Sequence, residues 1–176
     1  TVTSAQIKEE FGEDVSHLVE GVTKLNRVNF SSRAEQQAEN FRKMLLAMAR
    51  DIRVLLIKLC DRVHNMRTLE FLSESRQFRI AQETLDIYAP LAHRLGIYWM
   101  KSELEDLCLR YLKPTVYATI KESVNQKKKE REKYIDEVCT LISRELKDNS
   151  IIGAVSGRPK TFYSIYQKME TQGLNF

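Results

Sequence analysis

Glycine and proline are scarce in this chain, which has 6 glycines and 3 prolines in 176 residues. In an average soluble protein these two turn formers make up roughly 12% of the residues. Because glycine and proline are scarce, the chain can form only a few tight hairpins. The sequence therefore argues against a β-sandwich, a barrel or a collagen-like fold. Apolar residues instead recur at every third or fourth position along most of the chain, which is typical of amphipathic helices. We therefore predict a mainly α fold.

The composition excludes several classes of protein. Hydrophobic residues make up 43% of the chain, charged residues make up 30%, and the net charge is +4. Such a chain is too apolar to be disordered and lacks the concentrated basic excess of a dedicated DNA-binding protein. Its longest uncharged apolar runs fall far short of the ~18 residues that span a bilayer, and no signal peptide is recognisable before the first helix. We predict a cytoplasmic protein without a membrane or DNA partner.

The three cysteines support the same compartment. Cys60, Cys108 and Cys139 are far apart, odd in number and free of any CxxC spacing. They fit buried thiols in a reducing cytoplasm better than disulfides or a zinc site.

Caps and breakers divide the helical pattern into segments. Ser4 and Gly12 bound a first helix, a second continues to Leu25, and Asp51 opens the most apolar helix, which extends to Leu69. The other expected elements are a helix from Ser32 through Met48, one from about Glu74 that Pro90 kinks or breaks, one from about Tyr98, a long helix from Pro114 to Leu146, a strand over Ile151–Val155 and a last helix closed by Gly173.

Asp61, Asn65 and Thr68 form a polar stripe on the most apolar helix, because they are spaced i, i+4 and i+7. Two apolar residues earlier in this helix lie on the same side, so we expect that side to be buried. A buried carboxylate is costly unless it meets a cation, a metal ion or several hydrogen-bond donors. Two interpretations stay open: a ligand or metal site, or a salt bridge from Asp61 to Arg62, to Arg67 or to a neighbouring helix.

A second group of polar residues follows the predicted strand and leads into the last helix. It contains Gly157, Arg158 and Lys160, with Ser164 and Lys168 one and two turns later. Glycine permits close backbone approach, and three cations with a hydroxyl near a helix N-terminus suit a polyphosphate. The segment lacks the GxxxxGK[ST] pattern of a P-loop. An ordinary turn with exposed basic residues is the alternative interpretation.

Four long segments of the sequence form recognisable motifs: Lys58–Leu69, Glu35–Met44, Glu83–Gly96 and Gly157–Lys168. They resemble, in family order, motifs of the RelA/SpoT family, whose members make and degrade the alarmones guanosine tetra- and pentaphosphate in the stringent response. The segment Lys58–Leu69 resembles the motif of the family's hydrolase domain, and the other three resemble further family blocks. The resemblance implies a helical HD-domain-like bundle, a helical connector, and one strand and helix that begin a nucleotidyltransferase-like α/β domain.

The resemblance implies roles for the polar stripe in alarmone hydrolysis. The family hydrolase is a metal-dependent phosphohydrolase, usually with Mn²⁺, that removes the 3′-pyrophosphate. Asp61 matches the last metal ligand, Asn65 a catalytic-site residue beside the metal, and Thr68 a nucleotide contact. The other ligands, a histidine and a His-Asp pair, and the catalytic Glu-Asp pair would lie before Thr1.

The resemblance also implies roles for the basic group. In the family's synthetase, pyrophosphate passes from ATP to the 3′-hydroxyl of GDP or GTP. Arg158 matches an adenine contact, Lys160 and Lys168 match phosphate-binding residues, and Ser164 belongs to the same ATP motif. Thr161 stands where the family often has histidine. The Mg²⁺-binding acidic residue, the catalytic glutamate and the GTP-binding residues would follow Phe176.

The resemblance divides the chain into three parts. Residues 1–76 match the C-terminal part of the hydrolase domain, 77–112 a central helical connector, and 113–176 the N-terminal part of the synthetase domain. We predict that the parent protein is a bifunctional alarmone synthetase/hydrolase acting on guanine nucleotides and ATP. We expect a ribosome contact only through parts of the parent outside this chain.

The truncated chain is itself predicted to be inactive. The alternative is a non-enzymatic helical regulatory or interaction module derived from the same family. An RNA-binding helical protein is a third hypothesis, and it rests only on the basic run from Lys127 to Lys133.

Overall fold

The computed structural model describes residues 2–24 and 51–173. These residues form helices and contain no strand, which confirms the mainly α prediction. None of their helices is both long and apolar enough to cross a bilayer. The chain separates into two compact units, residues 1–104 and 105–176. The described α-helices are α1 Ser4–Phe11, α2 Glu13–Lys24, α3 Ile52–Arg67, α4 Glu74–Glu83, α5 Ala89–Arg94, α6 Tyr98–Leu112, α7 Pro114–Gln126, α8 Lys128–Asp148 and α9 Phe162–Gln172.

The first unit is built around α3. Leu55, Leu59 and Met66 are at most 1% exposed and follow one another at helical spacing on one face. Helix α2 packs against α3 at Gly21, where an added Cβ would lie 2.8 Å from Cγ2 of Val54. Only a residue without a side chain therefore permits this close approach of the two helices.

Helices α4 and α5 are joined by a five-residue π-helix, Thr84–Tyr88. Pro90, which has no backbone N–H, lies in the first turn of α5. The Ala89 amide donates to the carbonyl of Thr84, five residues earlier, so the wider turn accommodates the proline. The chain thus stays helical across Pro90, where the sequence predicts a kink or a break.

The second unit has its core between α7 and α9. Leu109 at the end of α6 packs with Ile120 and Val124 of α7, and all three are buried. The rings of Tyr117 and Phe162 meet edge to face, with their centroids 5.5 Å apart. The partly buried residues around this core are Val116, Tyr117, Phe162, Tyr163, Ile165, Tyr166 and Met169.

The long helix predicted from Pro114 to Leu146 is in fact two helices. Pro114 begins α7 as expected, but Lys127 adopts φ −101° and ψ 16° and separates α7 from α8. Residues around the break are good or neutral helix formers, with no glycine or proline, so local propensity gives no stop signal. Packing distinguishes the two helices, because α7 buries Val124 whereas α8 has no fully buried residue.

Residues 151–161 have no regular secondary structure. The predicted strand over Ile151–Val155 is therefore not confirmed. A strand is defined by ladder hydrogen bonds to a partner, and the described residues supply none. Ile152 is fully exposed, consistent with an apolar segment that has no packing partner in this part of the chain.

The predicted glycine cap at the end of α9 is confirmed. Gly173 closes the helix with φ 61°, and its amide donates to the Met169 carbonyl.

The prediction of buried thiols is wrong for Cys60, which is exposed, although Cys108 is buried and Cys139 is half-buried. The helix predicted from Ser32 through Met48, with the block Glu35–Met44, lies outside the described residues.

Candidate functional site

Helix α3 begins at a well-formed N-cap. The Asp51 carboxylate accepts a hydrogen bond of 2.9 Å from the Arg53 amide and also pairs with the Arg53 guanidinium. That guanidinium holds the pKa of Asp51 below its ordinary range. The cap predicted at Asp51 is therefore confirmed, and it fixes the start of the helix that carries the polar stripe.

The polar stripe lies on the solvent-exposed side of α3. Asp61, Asn65 and Thr68 are all exposed. The prediction that this side is buried is correct for the first turns at Val54, which is 3% exposed, but wrong for Ile57, which is 44% exposed. The reason is that α2 packs against Val54, and this burial does not extend to the last turns of α3.

The salt bridge proposed for Asp61 is not formed with either arginine. The Arg67 guanidinium binds the Glu103 carboxylate through two hydrogen bonds of 2.5 and 2.8 Å. Arg62 forms an ion pair of 3.0 Å with Glu83. Within the described part of the chain, Asp61 makes no hydrogen bond or ion pair, so its carboxylate faces solvent as an available acceptor.

Arg62 fastens the middle of α3 to the π-helix. Its guanidinium carbon lies 3.9 Å from the centre of the Tyr88 ring. Nη1 of Arg62 donates to the Thr84 hydroxyl at 3.3 Å, and that hydroxyl donates to the Ile80 carbonyl at 2.6 Å. With the ion pair to Glu83, these contacts use the planar face and the forked donors of arginine together. They hold the backbone beside Asp61 in one orientation.

Lys58 is a buried cation one turn before Asp61. The residue is 8% exposed, and burial lowers the pKa of its ammonium group, while the nearby Asp61 carboxylate has the opposite effect. The sequence pattern did not single out Lys58 as a site residue, because a lysine near the end of an apolar run is normally read as a surface residue.

A metal ion needs more ligands than the described residues provide. No group of three or more His, Cys, Asp or Glu side chains among them is placed to bind one. Asp61 is a hard oxygen donor suited to a divalent cation, but a single carboxylate does not form a protein metal site. The described residues by themselves therefore do not fit a metal ion.

The basic group lies in the second unit and is only partly brought together. Lys160 and Lys168 line one shallow surface groove, and Arg158 is exposed but does not line it. The Ser164 hydroxyl accepts a hydrogen bond of 2.8 Å from the Thr161 hydroxyl. The remaining residues that line the groove are Tyr166, Gln167, Glu170 and Thr171.

The N-terminus of α9 is already occupied by protein groups. Asp106 of α6 accepts a hydrogen bond of 2.8 Å from the Tyr163 amide. The Ser164 amide donates to the Thr161 side chain, and the Ile165 amide to the Thr161 carbonyl. The amides of Tyr163, Ser164 and Ile165 thus have protein partners, and the polyphosphate role of this helix end stays a prediction.

Sequence reasoning missed Asp106, which lies 57 residues before Tyr163. Burial raises the pKa of its carboxyl, and the nearby backbone amides of Tyr163 and Phe162 oppose the rise. Asp106 has no recognisable local motif, because an acidic residue in the middle of a helix is usually solvated.

Gly157 permits a close approach, but to a helix. A Cβ at this position would clash with Cγ2 of Ile135 and lie 3.0 Å from the Cys139 sulfur, both on α8. Packing of the segment against α8 therefore requires a glycine here, and access of a ligand to the backbone stays a prediction.

Comparison with known proteins identifies the family. A model of the HD domain matches residues 1–98. A GTP pyrophosphokinase of Myxococcus xanthus is 57% identical over 99% of this chain, and the bifunctional (p)ppGpp synthase/hydrolase SpoT of Escherichia coli is 50% identical over 95%. A probable guanosine-3′,5′-bis(diphosphate) 3′-pyrophosphohydrolase of Synechocystis is 52% identical over 99%. The chain spans 23 to 24% of the length of these three relatives. It belongs to the HD-domain family, and its predicted membership of the RelA/SpoT family is confirmed.

Proposed function

We propose that this chain is part of a bifunctional enzyme that hydrolyses the 3′-pyrophosphate of guanosine tetra- and pentaphosphate and transfers pyrophosphate from ATP to GDP or GTP. The observation that carries the proposal is the stripe of Asp61, Asn65 and Thr68, which is exposed on a helix anchored by Arg62, and in which the Asp61 carboxylate makes no hydrogen bond or ion pair with another described residue. The names of the relatives support both activities.

The hydrolase role is assigned to the polar stripe. Asp61 contributes one oxygen ligand toward a catalytic Mn²⁺ ion, Asn65 acts as a catalytic-site hydrogen-bonding residue, and Thr68 contacts the nucleotide. The remaining ligands of such an ion would come from outside the described residues, among which no group of three or more His, Cys, Asp or Glu side chains is placed to bind one. The contribution of the polar stripe itself is to position polar groups on a rigid helix, which Arg62 holds against the π-helix.

The synthetase role is assigned to the basic group. Lys160 and Lys168, which share one groove, bind the phosphates of ATP, and Arg158 stacks on adenine. The hydroxyl oxygen of Ser164 also belongs to the ATP site. It accepts a hydrogen bond from the Thr161 hydroxyl and keeps a second lone pair for a further donor. Mg²⁺ would be bound by residues outside this chain.

We further propose the domain division of the parent protein as residues 1–76, 77–112 and 113–176. Ile151–Val155 then forms the first strand of a nucleotidyltransferase-like domain once a partner strand is present. The exposed side chains of Ile151 and Ile152 support this proposal, since apolar side chains of a strand normally pack against a neighbouring element. We place the parent protein in the bacterial cytoplasm.

The test is an assay of the full-length protein that carries this chain. Alarmone hydrolysis is measured with Mn²⁺, and pyrophosphate transfer is measured with ATP, GDP and Mg²⁺. We expect both activities in the full-length protein and neither in the 176-residue chain. Absence of both activities from a folded full-length protein would instead support the non-enzymatic regulatory module.

A further inference from the structure

We propose that Asp106 is a positioning residue for ATP, and that it acts by holding the N-terminal end of the helix that carries the ATP motif. This inference rests on the proposed synthetase function. Asp106 lies on α6, whereas Lys160 and Lys168 lie just before and within α9.

The Asp106 carboxylate contacts the first turn of α9 directly. It accepts a hydrogen bond of 2.8 Å from the Tyr163 amide. This is the second amide of α9, and it has no partner within its own helix. A carboxylate at this point also interacts favourably with the positive end of the helix dipole. Asp106 therefore fixes where α9 begins relative to α6.

Lys160 and Lys168 lie on either side of the N-cap of α9. Lys160 precedes the N-cap Thr161 by one residue, and Lys168 lies seven residues beyond that cap. Both line the same groove, so their separation depends on the position and direction of the first turn of α9. A shift of that turn would move Lys160 away from Lys168, and two cations that act on one polyphosphate tolerate little displacement.

A second contact fastens the same helix farther along. The Lys113 ammonium donates to the Tyr166 hydroxyl, and Tyr166 lines the groove beside Lys168. Lys113 directly follows α6, so the end of α6 holds α9 at two points. Of the two, only Asp106 reaches the end of α9 next to Lys160, which makes it the residue that sets the distance between the lysines.

The experiment uses the full-length protein with three variants of Asp106 and one control. Asp106→Ala removes the acceptor, Asp106→Asn keeps an acceptor oxygen in the same place, and Asp106→Glu keeps the charge but moves it by one methylene. Asp136→Ala is the control, because Asp136 is an exposed aspartate on α8 away from the groove. The measurements are KM for ATP, KM for GDP and kcat of pyrophosphate transfer, together with amide hydrogen exchange at Tyr163.

We expect Asp106→Ala to raise KM for ATP about tenfold and to change kcat and KM for GDP by less than about twofold. Tyr163 exchange should become faster in this variant. Asp106→Asn should restore KM for ATP and Tyr163 protection, since its amide oxygen accepts the same hydrogen bond. Asp106→Glu should raise KM for ATP, and it keeps the proposal testable if Asp106→Ala does not fold. Asp136→Ala should match the wild type.

The two proposals fail in different ways. If the wild type transfers no pyrophosphate, the proposed function is wrong and the ATP role of Asp106 is wrong with it. If the wild type is active, the positioning role is overturned by an unchanged KM for ATP in folded Asp106→Ala or Asp106→Glu. It is also overturned if Asp106→Asn and Asp106→Ala raise KM for ATP equally.

Discussion

Gly157 and Gly153 lie in the same irregular segment but have different surroundings. A Cβ at Gly157 would collide with Ile135, whereas one at Gly153 would lie 3.5 Å from Leu146, an ordinary contact distance. We expect Gly157→Ala to lower the free energy of unfolding by about 1–3 kcal/mol, as for other overpacked sites. Urea unfolding of both alanine variants tests this, with Gly153→Ala as the control. Equal effects of the two substitutions would contradict the packing role of Gly157.

The titration of Asp106 should appear in the pH dependence of stability. Burial raises the pKa of this carboxyl in the folded protein, so the folded protein binds the proton more tightly than the unfolded chain does. The unfolded chain therefore ionises first, and stability falls as pH rises through the range just above the ordinary carboxyl pKa of about 4.

Asp106→Asn should lack this contribution. We expect the free energy of unfolding of Asp106→Asn, relative to the wild type, to increase as pH rises through that range. Urea unfolding at a series of pH values provides the measurement, with Asp136→Asn as the control. A relative free energy that decreases over the same pH range would show that the backbone amides of Tyr163 and Phe162 outweigh the burial of Asp106 in setting its pKa.

At the level of helices, Arg62 connects α3 to the π-helix through Glu83, Thr84 and Tyr88. Arg62→Lys keeps the charge but loses the forked donors and the planar stacking face. We expect it to lower the free energy of unfolding by about 1–2 kcal/mol. Arg144→Lys, in an exposed pair with Asp148 one turn away, should change it by less than about 0.5 kcal/mol.

Chemical denaturation of the two lysine variants gives the comparison. An effect of Arg62→Lys no larger than that of Arg144→Lys would mean that the contacts of Arg62 are not a significant anchor of α3.

The basic run on α8 behaves as a solvated helix face. Lys128 lies 3.8 Å from Glu132, and Lys133 lies 3.7 Å from Glu137, both as exposed pairs one turn apart. Such pairs are typical of an exposed helix surface and contribute little to stability. The RNA-binding hypothesis therefore gains no support from this helix.

Local signals predicted the helix ends well and the helix joints poorly. The caps at Asp51 and Gly173 depend on one side chain and one backbone conformation, so a few residues of sequence are enough to predict them. The break at Lys127 and the π-helix before Pro90 depend on what each helix packs against, and no short window of sequence contains that information.

At the scale of the whole molecule, the two groups of site residues lie in different compact units. Asp61 belongs to residues 1–104, and Lys168 belongs to residues 105–176. In the full-length protein we expect Asp61→Asn to lower alarmone hydrolysis by at least about 100-fold and to leave pyrophosphate transfer active. Lys168→Gln should lower pyrophosphate transfer, chiefly through KM for ATP, and leave hydrolysis active.

Separate assays of the two reactions on the purified variants provide the measurement, with Lys133→Gln as a control for loss of an exposed lysine. Loss of both activities in either variant, with the fold retained, would contradict separate sites.

The sequence predicted the arrangement of the polar stripe better than its surroundings. The spacing of Asp61, Asn65 and Thr68 follows from the helical repeat, so their common face could be predicted. Their exposure could not, because it depends on where α2 stops covering α3. The hydrogen bond between Asp106 and Tyr163 could not be predicted either, because it joins two helices that are distant in sequence.

The π-helix at Thr84–Tyr88 has a consequence for comparing sequences by position. A turn closed by a bond to the fifth residue holds one residue more than an α-helical turn, and one residue corresponds to a rotation of about 100° around the helix axis. In a regular α-helix this additional residue would turn every side chain of α5, including the fully buried Leu91, by that angle. A natural variant with one residue fewer here would form an uninterrupted α-helix and keep the same face of α5 inward, because the wider turn absorbs the extra residue. A one-residue gap in an alignment at this point would therefore mark the loss of the π-helix and not a change of core.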